Sequence, residues 1–148
     1  MKKKLRVYIY FIFCLVLAFP FSGRADETLD IANGDVTITQ AGTYRIENYT
    51  GTNKVVVNAK GEVVNITISE LNIDVSGTEY ACAFDIQAGT VNLTLEGKNV
   101  LKSGNYKAGL QVPEGSTLTI NGDGELNATG RDNGAGIGGG SGSNGGTI

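Results

Sequence analysis

The oxygen-bearing residues best placed to hold a cation lie in Asn121-Gly122-Asp123-Gly124-Glu125 and, shortly after, Asp132-Asn133. Carboxylates on glycine-bent loops suit Ca²⁺, so Asp123, Glu125 and Asp132 are the candidate ligands. The spacing is not that of an EF-hand, and the same Asn-Gly-Asp-Gly run also makes a good turn. A sparser acidic set is Asp74, Glu79 and Asp85. Four tyrosines, Tyr44, Tyr49, Tyr80 and Tyr106, fall in or beside bends. A tyrosine face can stack on a sugar ring while its hydroxyl stays wet. Lys98, Lys102 and Lys107 cluster after one strand, where a base could abstract a proton. Solvated turn lysines are the plainer reading. The chain has no His and no Trp. That removes His-based triads and imidazole metal sites, and no G-x-S-x-G nucleophile motif occurs.

These residues hang on a repeat. An apolar-Thr-apolar triplet recurs at Val36-Thr37-Ile38, Ile66-Thr67-Ile68, Leu93-Thr94-Leu95 and Leu118-Thr119-Ile120, with Gly146-Thr147-Ile148 as a last echo. The threonines are 30, 27, 25 and 28 residues apart. A period in this range marks a stacked architecture, in which each unit touches only its neighbours. Other apolar points precede the triplets at Val57, Ile86, Val112 and Ile137, and follow them at Tyr44, Ile73, Leu101 and Leu126. At a shift of 25, Leu93-Thr94-Leu95 falls on Leu118-Thr119-Ile120. Three short strands per turn, split by Gly, Asn and Asp bends, predict a parallel β-helix. No stretch after the leader shows a 3.6-residue apolar period, which disfavours helical solenoids.

Alternation within strands assigns the faces. Ile66 and Ile68, then Leu71, Ile73 and Val75, point inward, and Asn65, Thr67, Asn72 and Asp74 outward. The four Asn-x-Thr sequons, at Asn48, Asn65, Asn92 and Asn127, follow from Asn and Thr alternating on the outer face.

Residues 1–25 read as a secretory signal peptide: a basic start at Lys2-Lys3-Lys4-Leu5-Arg6, an apolar run from Val7 to Phe21, and Gly23-Arg24-Ala25 as a small-x-small cleavage site. The expected product, residues 26–148, is one domain, released or held at the cell surface and not in the membrane. Of 12 basic and 15 acidic residues, Lys2, Lys3, Lys4, Arg6 and Arg24 leave with the signal, so seven positive charges face fifteen negative ones and the net charge is −8. Such a surface argues against nucleic acid and anionic lipid, and suits calcium or a neutral polysaccharide. Cys82 alone remains after cleavage and cannot staple a monomer, so it reads as a core thiol.

Nine of the 17 residues in 130–146 are glycine. This stretch is either a flexible linker or a tightly turning last coil. Gly134-Ala135-Gly136-Ile137 matches Lys107-Ala108-Gly109-Leu110 one coil earlier and favours the coil. The sequence breaks off within the next expected strand. The expectation is a truncated product or a fragment, with an open apolar end able to self-associate.

Taken together, the chain resembles the secreted, right-handed parallel β-helix carbohydrate-binding domains of Firmicutes, which are similar in structure to polysaccharide lyases. Gly42-Thr43-Tyr44-Arg45-Ile46, Leu93-Thr94-Leu95-Glu96-Gly97-Lys98-Asn99, Leu118-Thr119-Ile120-Asn121-Gly122-Asp123-Gly124-Glu125-Leu126 and Gly134-Ala135-Gly136-Ile137-Gly138-Gly139-Gly140 carry the likeness. The glycine-rich element resembles repeats of large bacterial surface adhesins equally well. The first resemblance implies calcium-assisted binding of plant or cell-wall polysaccharide without catalysis. The second implies a structural or adhesin fragment of a larger surface protein. The expected fold is an all-β, single right-handed parallel β-helix of about four coils.

Overall fold

The computed structural model describes residues 26–148. The signal-peptide reading falls on 1–25 and lies outside the described residues.

The protein is all-β, with a parallel sheet and one 3-10 turn at Ile31–Asn33. Its strands are β1 (Glu27–Thr28), β2 (Val36–Ile38), β3 (Gly42–Gly51), β4 (Val55–Asp74), β5 (Phe84–Glu96), β6 (Lys98–Asn105), β7 (Leu110–Gln111), β8 (Thr117–Gly122), β9 (Glu125–Arg131) and β10 (Ile137–Gly138). Every pairing between these strands is parallel, and each joins segments roughly one sequence repeat apart. Three columns result. One runs through β2, the start of β4, the start of β5, β7 and β10. A second runs through the start of β3, Val64–Ser69, Thr90–Glu96 and β8. The third runs through the end of β3, Leu71–Asp74, β6 and β9.

The alternation reads correctly. Val64, Ile66, Ile68, Leu71 and Ile73 are buried, as are Val91, Leu93 and Leu95, while Asn65, Asn92 and Thr94 face out or are half-exposed. Inward residues stack in ladders such as Tyr44–Ile66–Leu93–Ile120. Burying each large aliphatic side chain contributes about 1.5–3 kcal/mol, so these ladders hold the repeats together.

The shift of 25 is corrected to 27. Leu93 lies beside Ile120, Val91 beside Leu118, and Thr94 beside Asn121 rather than Thr119. The third column slips likewise: Leu101 meets Ala128, not Leu126. A two-residue slip keeps every side chain on its own face, so alternation alone cannot detect it. The first triplet also belongs elsewhere, because Thr37 pairs with Val56, in a different column from Thr67.

Bends between the second and third columns use left-handed φ at Asn48 (54°), Glu70 (51°) and Gly97 (57°). The Glu70 carboxylate accepts from Lys98 N at 3.1 Å and lies over Gly97, where a Cβ would overlap it. Asn99 occupies an inward site and is buried. Its Oδ1 accepts from Leu71 N at 3.1 Å, and its Nδ2 donates to Glu96 O (2.9 Å) and Glu125 O (3.3 Å). One amide thus ties three repeats.

The glycine-rich stretch follows the stacking pattern. Ile137 pairs with Leu110, and Gly109 N and Leu110 N donate to Ala135 O and Gly136 O at 3.1 and 3.0 Å. Gly134 rests directly on Lys107, where a Cβ would overlap the carbonyl oxygen.

Candidate functional site

The four tyrosines have different fates. Tyr44 alternates in step with Ile46, so its ring points into the core and is 7% exposed. Its hydroxyl donates to Gln40 O at 3.2 Å. As a sugar platform Tyr44 is corrected: the inward parity of its strand removes its face from solvent. Tyr49 is half-buried against the core, and its hydroxyl accepts from Asn53 N at 2.9 Å. Tyr80 and Tyr106 are 60% and 40% exposed, and their rings stack with centroids 5.5 Å apart and an interplanar angle of 21°.

That pair sits at the bend between the third column and the first. Phe84 pairs with Leu110, an offset of 26 that also separates Tyr80 from Tyr106. The stacking therefore follows from the repeat, whose neighbouring strands run about 4.8 Å apart. Both tyrosines hold left-handed φ, 58° and 67°. One repeat later Asp132 (42°) and Asn133 (71°) do the same. Left-handed φ is common for Asn and Asp but costs a bulky residue about 1–2 kcal/mol. Glu79 beside Tyr80 raises the phenol pKa, with smaller contributions from partial burial and Tyr106. Tyr80 therefore stays a neutral donor over a wider range of pH.

The three candidate calcium ligands do not converge. No group of three His, Cys, Asp or Glu side chains able to hold a metal occurs among the described residues. Asp123 and Glu125 precede or open β9, and Asp132 follows its end. An extended strand of that length spans about 20 Å, so one ion does not reach both ends. The Asp74, Glu79, Asp85 set is also dispersed. Asp74 accepts from the Ser76 hydroxyl and amide at 2.6 and 3.1 Å and pairs with Lys102 at 3.2 Å. Those contacts, the Ser76 hydroxyl foremost, lower its pKa. Asp85 accepts from Gln87 Nε2 and Gln111 Nε2, each at 3.1 Å. Lys98 lies beside Glu125 in register.

Cys82 is buried, and desolvation, aided by Asp85, raises its thiol pKa to about 11. It is a core thiol and not a nucleophile poised at neutral pH.

Two features escape a reading by motif. One is an outer-face cluster. Asn92 Nδ2 donates to Asn65 Oδ1 at 2.9 Å, and Arg45 reaches across an intervening strand to pair with Glu96 while also pairing with Glu47. The only signal for it is outward parity in successive repeats. The other is a notch of about 470 Å³ lined by Lys60, Gly61, Gln87, Gly89, Thr90 and Glu114. It forms where the register between β4 and β5 shifts, since Asn58 pairs with Ala88 but Val63 with Thr90. Extra residues at 59–62 make the neighbouring bend longer. This notch is larger than any hollow at the tyrosine pair, yet no aromatic side chain lines it.

No family model, curated protein or solved structure matches this chain.

Proposed function

We propose that the parallel columns wind as a right-handed β-helix of about four coils, and that this β-helix is a non-catalytic polysaccharide-binding module of a secreted or cell-surface protein. Offsets of 26 to 29 residues from β4 onward support the winding, because each of the three columns recurs once per repeat. Parallel crossovers are right-handed in nearly all proteins.

The observation that carries the binding reading is the exposed Tyr80–Tyr106 stack in left-handed bends. A strained exposed aromatic pair is a costly way to fill a turn, and such strain concentrates at functional positions. The free face of Tyr80 can take the C–H face of a sugar, and its phenol can donate to a ring hydroxyl. Asp132 and Asn133 offer polar partners for hydroxyls further along the same bend. The acidic domain favours a neutral glycan over an acidic one. Calcium plays no part in this stacking contact.

The test is capture of the full chain by insoluble, neutral polysaccharide, with calcium and with EDTA. Capture without release of unsaturated products supports the module. Loss of capture in EDTA restores a calcium role for Asp123, Glu125 or Asp132. A 4,5-unsaturated product makes the protein a lyase with Lys98, Lys102 or Lys107 as base. No capture on any glycan leaves the structural or adhesin reading.

A further inference from the structure

We propose that β9 is a self-pairing edge, through which two copies of this chain join antiparallel about a twofold axis at Ala128. β9 pairs with β6 along one side, and among the described residues no strand pairs along the other. Glu125 N donates to Gly97 O at 2.8 Å, and Tyr106 N donates to Arg131 O at 3.0 Å. The backbone groups of Glu125, Asn127, Thr129 and Arg131 therefore face the chain's own sheet. Those of Leu126, Ala128 and Gly130 face the open side, because N–H and C=O of successive residues alternate across a strand.

The sequence of this edge is complementary to its own reversal. With Ala128 opposite Ala128, Leu126 meets Gly130, and these are the residues whose open-side groups exchange backbone bonds. Glu125 then meets Arg131, and Asn127 meets Thr129, at the closer, non-bonded positions where side chains touch best. The twofold axis makes both ion pairs twice. A register slip of two residues removes them all. On the inner face, Leu126 and Ala128 are only half-buried. A second copy would cover them, the large Leu126 against the small Gly130. Glu125 makes no ion pair among the described residues. Arg131 donates Nη1 to Ser76 O at 2.8 Å, and its remaining guanidinium donors stay available. The antiparallel strand is also a familiar solution to an unpaired edge.

The experiment is sedimentation of the full chain over a dilution series, beside Arg131→Glu, Glu125→Arg and the double exchange. Reversible dimerisation is expected. Each single reversal should weaken it about tenfold or more, and the double exchange should restore it. Restoration also separates lost pairing from lost folding, since both substitutions are present together. A monomer at every concentration overturns the proposal. So does a dimer indifferent to the single reversals, or a double exchange that fails to restore association.

Discussion

Tyr44 and Tyr106 are the same residue type, each beside a bend, yet one is core and the other surface. Tyr44 shares the inward parity of Ile46 and stacks over Ile66. Tyr106 sits outside any strand, in a left-handed turn, where no parity applies. The difference teaches that position within the repeat, not residue type, decides whether an aromatic ring serves stability or recognition. In an architecture of stacked strands, inward positions are committed to the core and bends are free to carry function.

The sharpest way to break this rule is charge on adjacent residues. Leu93→Asp should destabilise by several kcal/mol, because an unpaired carboxylate enters the dry ladder between Ile66 and Ile120. Thr94→Asp, one residue away and facing out, should cost less than about 1 kcal/mol. Equal melting shifts would refute the assignment of faces.

Next in size is the tyrosine contrast itself. Tyr44→Ala should cost about 3 kcal/mol in urea denaturation, as for other large core aromatics. Equivalent loss at Tyr106→Ala would show that both rings serve the core.

A smaller effect concerns Cys82. Its folded pKa is raised from 9.0 to about 11, so its contribution is complete below about pH 9 and lost as pH rises through about 11. Two pKa units correspond to about 2 kcal/mol after allowance for burial being incomplete. Wild type should lose stability over that interval relative to Cys82→Ala, which lacks the thiol. Parallel curves for the two proteins would place the thiol in water.

The smallest stability change is expected at the tyrosine pair. Tyr80→Gly relieves a left-handed residue but loses a stacked ring, terms of similar size and opposite sign. Thermal unfolding should move by less than about 1 kcal/mol equivalent. A larger loss would assign Tyr80 a structural role.

Much of the fold was legible because alternation is local. Ile66, Ile68, Leu71 and Ile73 declare their faces without any partner strand. The register was less legible, since Thr94 can be placed against Thr119 or Asn121 with every face conserved. Bends of unequal length, such as the longer one at residues 59–62, also shift the phase between columns. Asn99 was invisible as a core residue, because its burial depends on amide and carbonyl partners supplied by three repeats. At the candidate site, Tyr80 and Tyr106 could be singled out as bend residues. Their stacking needed the offset of 26, which the Thr spacing does not contain. Tyr44 was misread although Gly42-Thr43-Tyr44-Arg45-Ile46 already places it on the side of Ile46. Asp123, Glu125 and Asp132 are close in sequence, but an extended strand holds the last of them apart from the others.

The most direct test of the binding claim is retention on the captured polysaccharide of wild type, Tyr80→Ala, Tyr106→Ala and Tyr49→Phe. Loss of either exposed ring should weaken retention about tenfold with folding intact. Tyr49→Phe, which removes only a hydroxyl turned to Asn53, should bind as wild type does. Unchanged retention in both alanine variants would contradict the account.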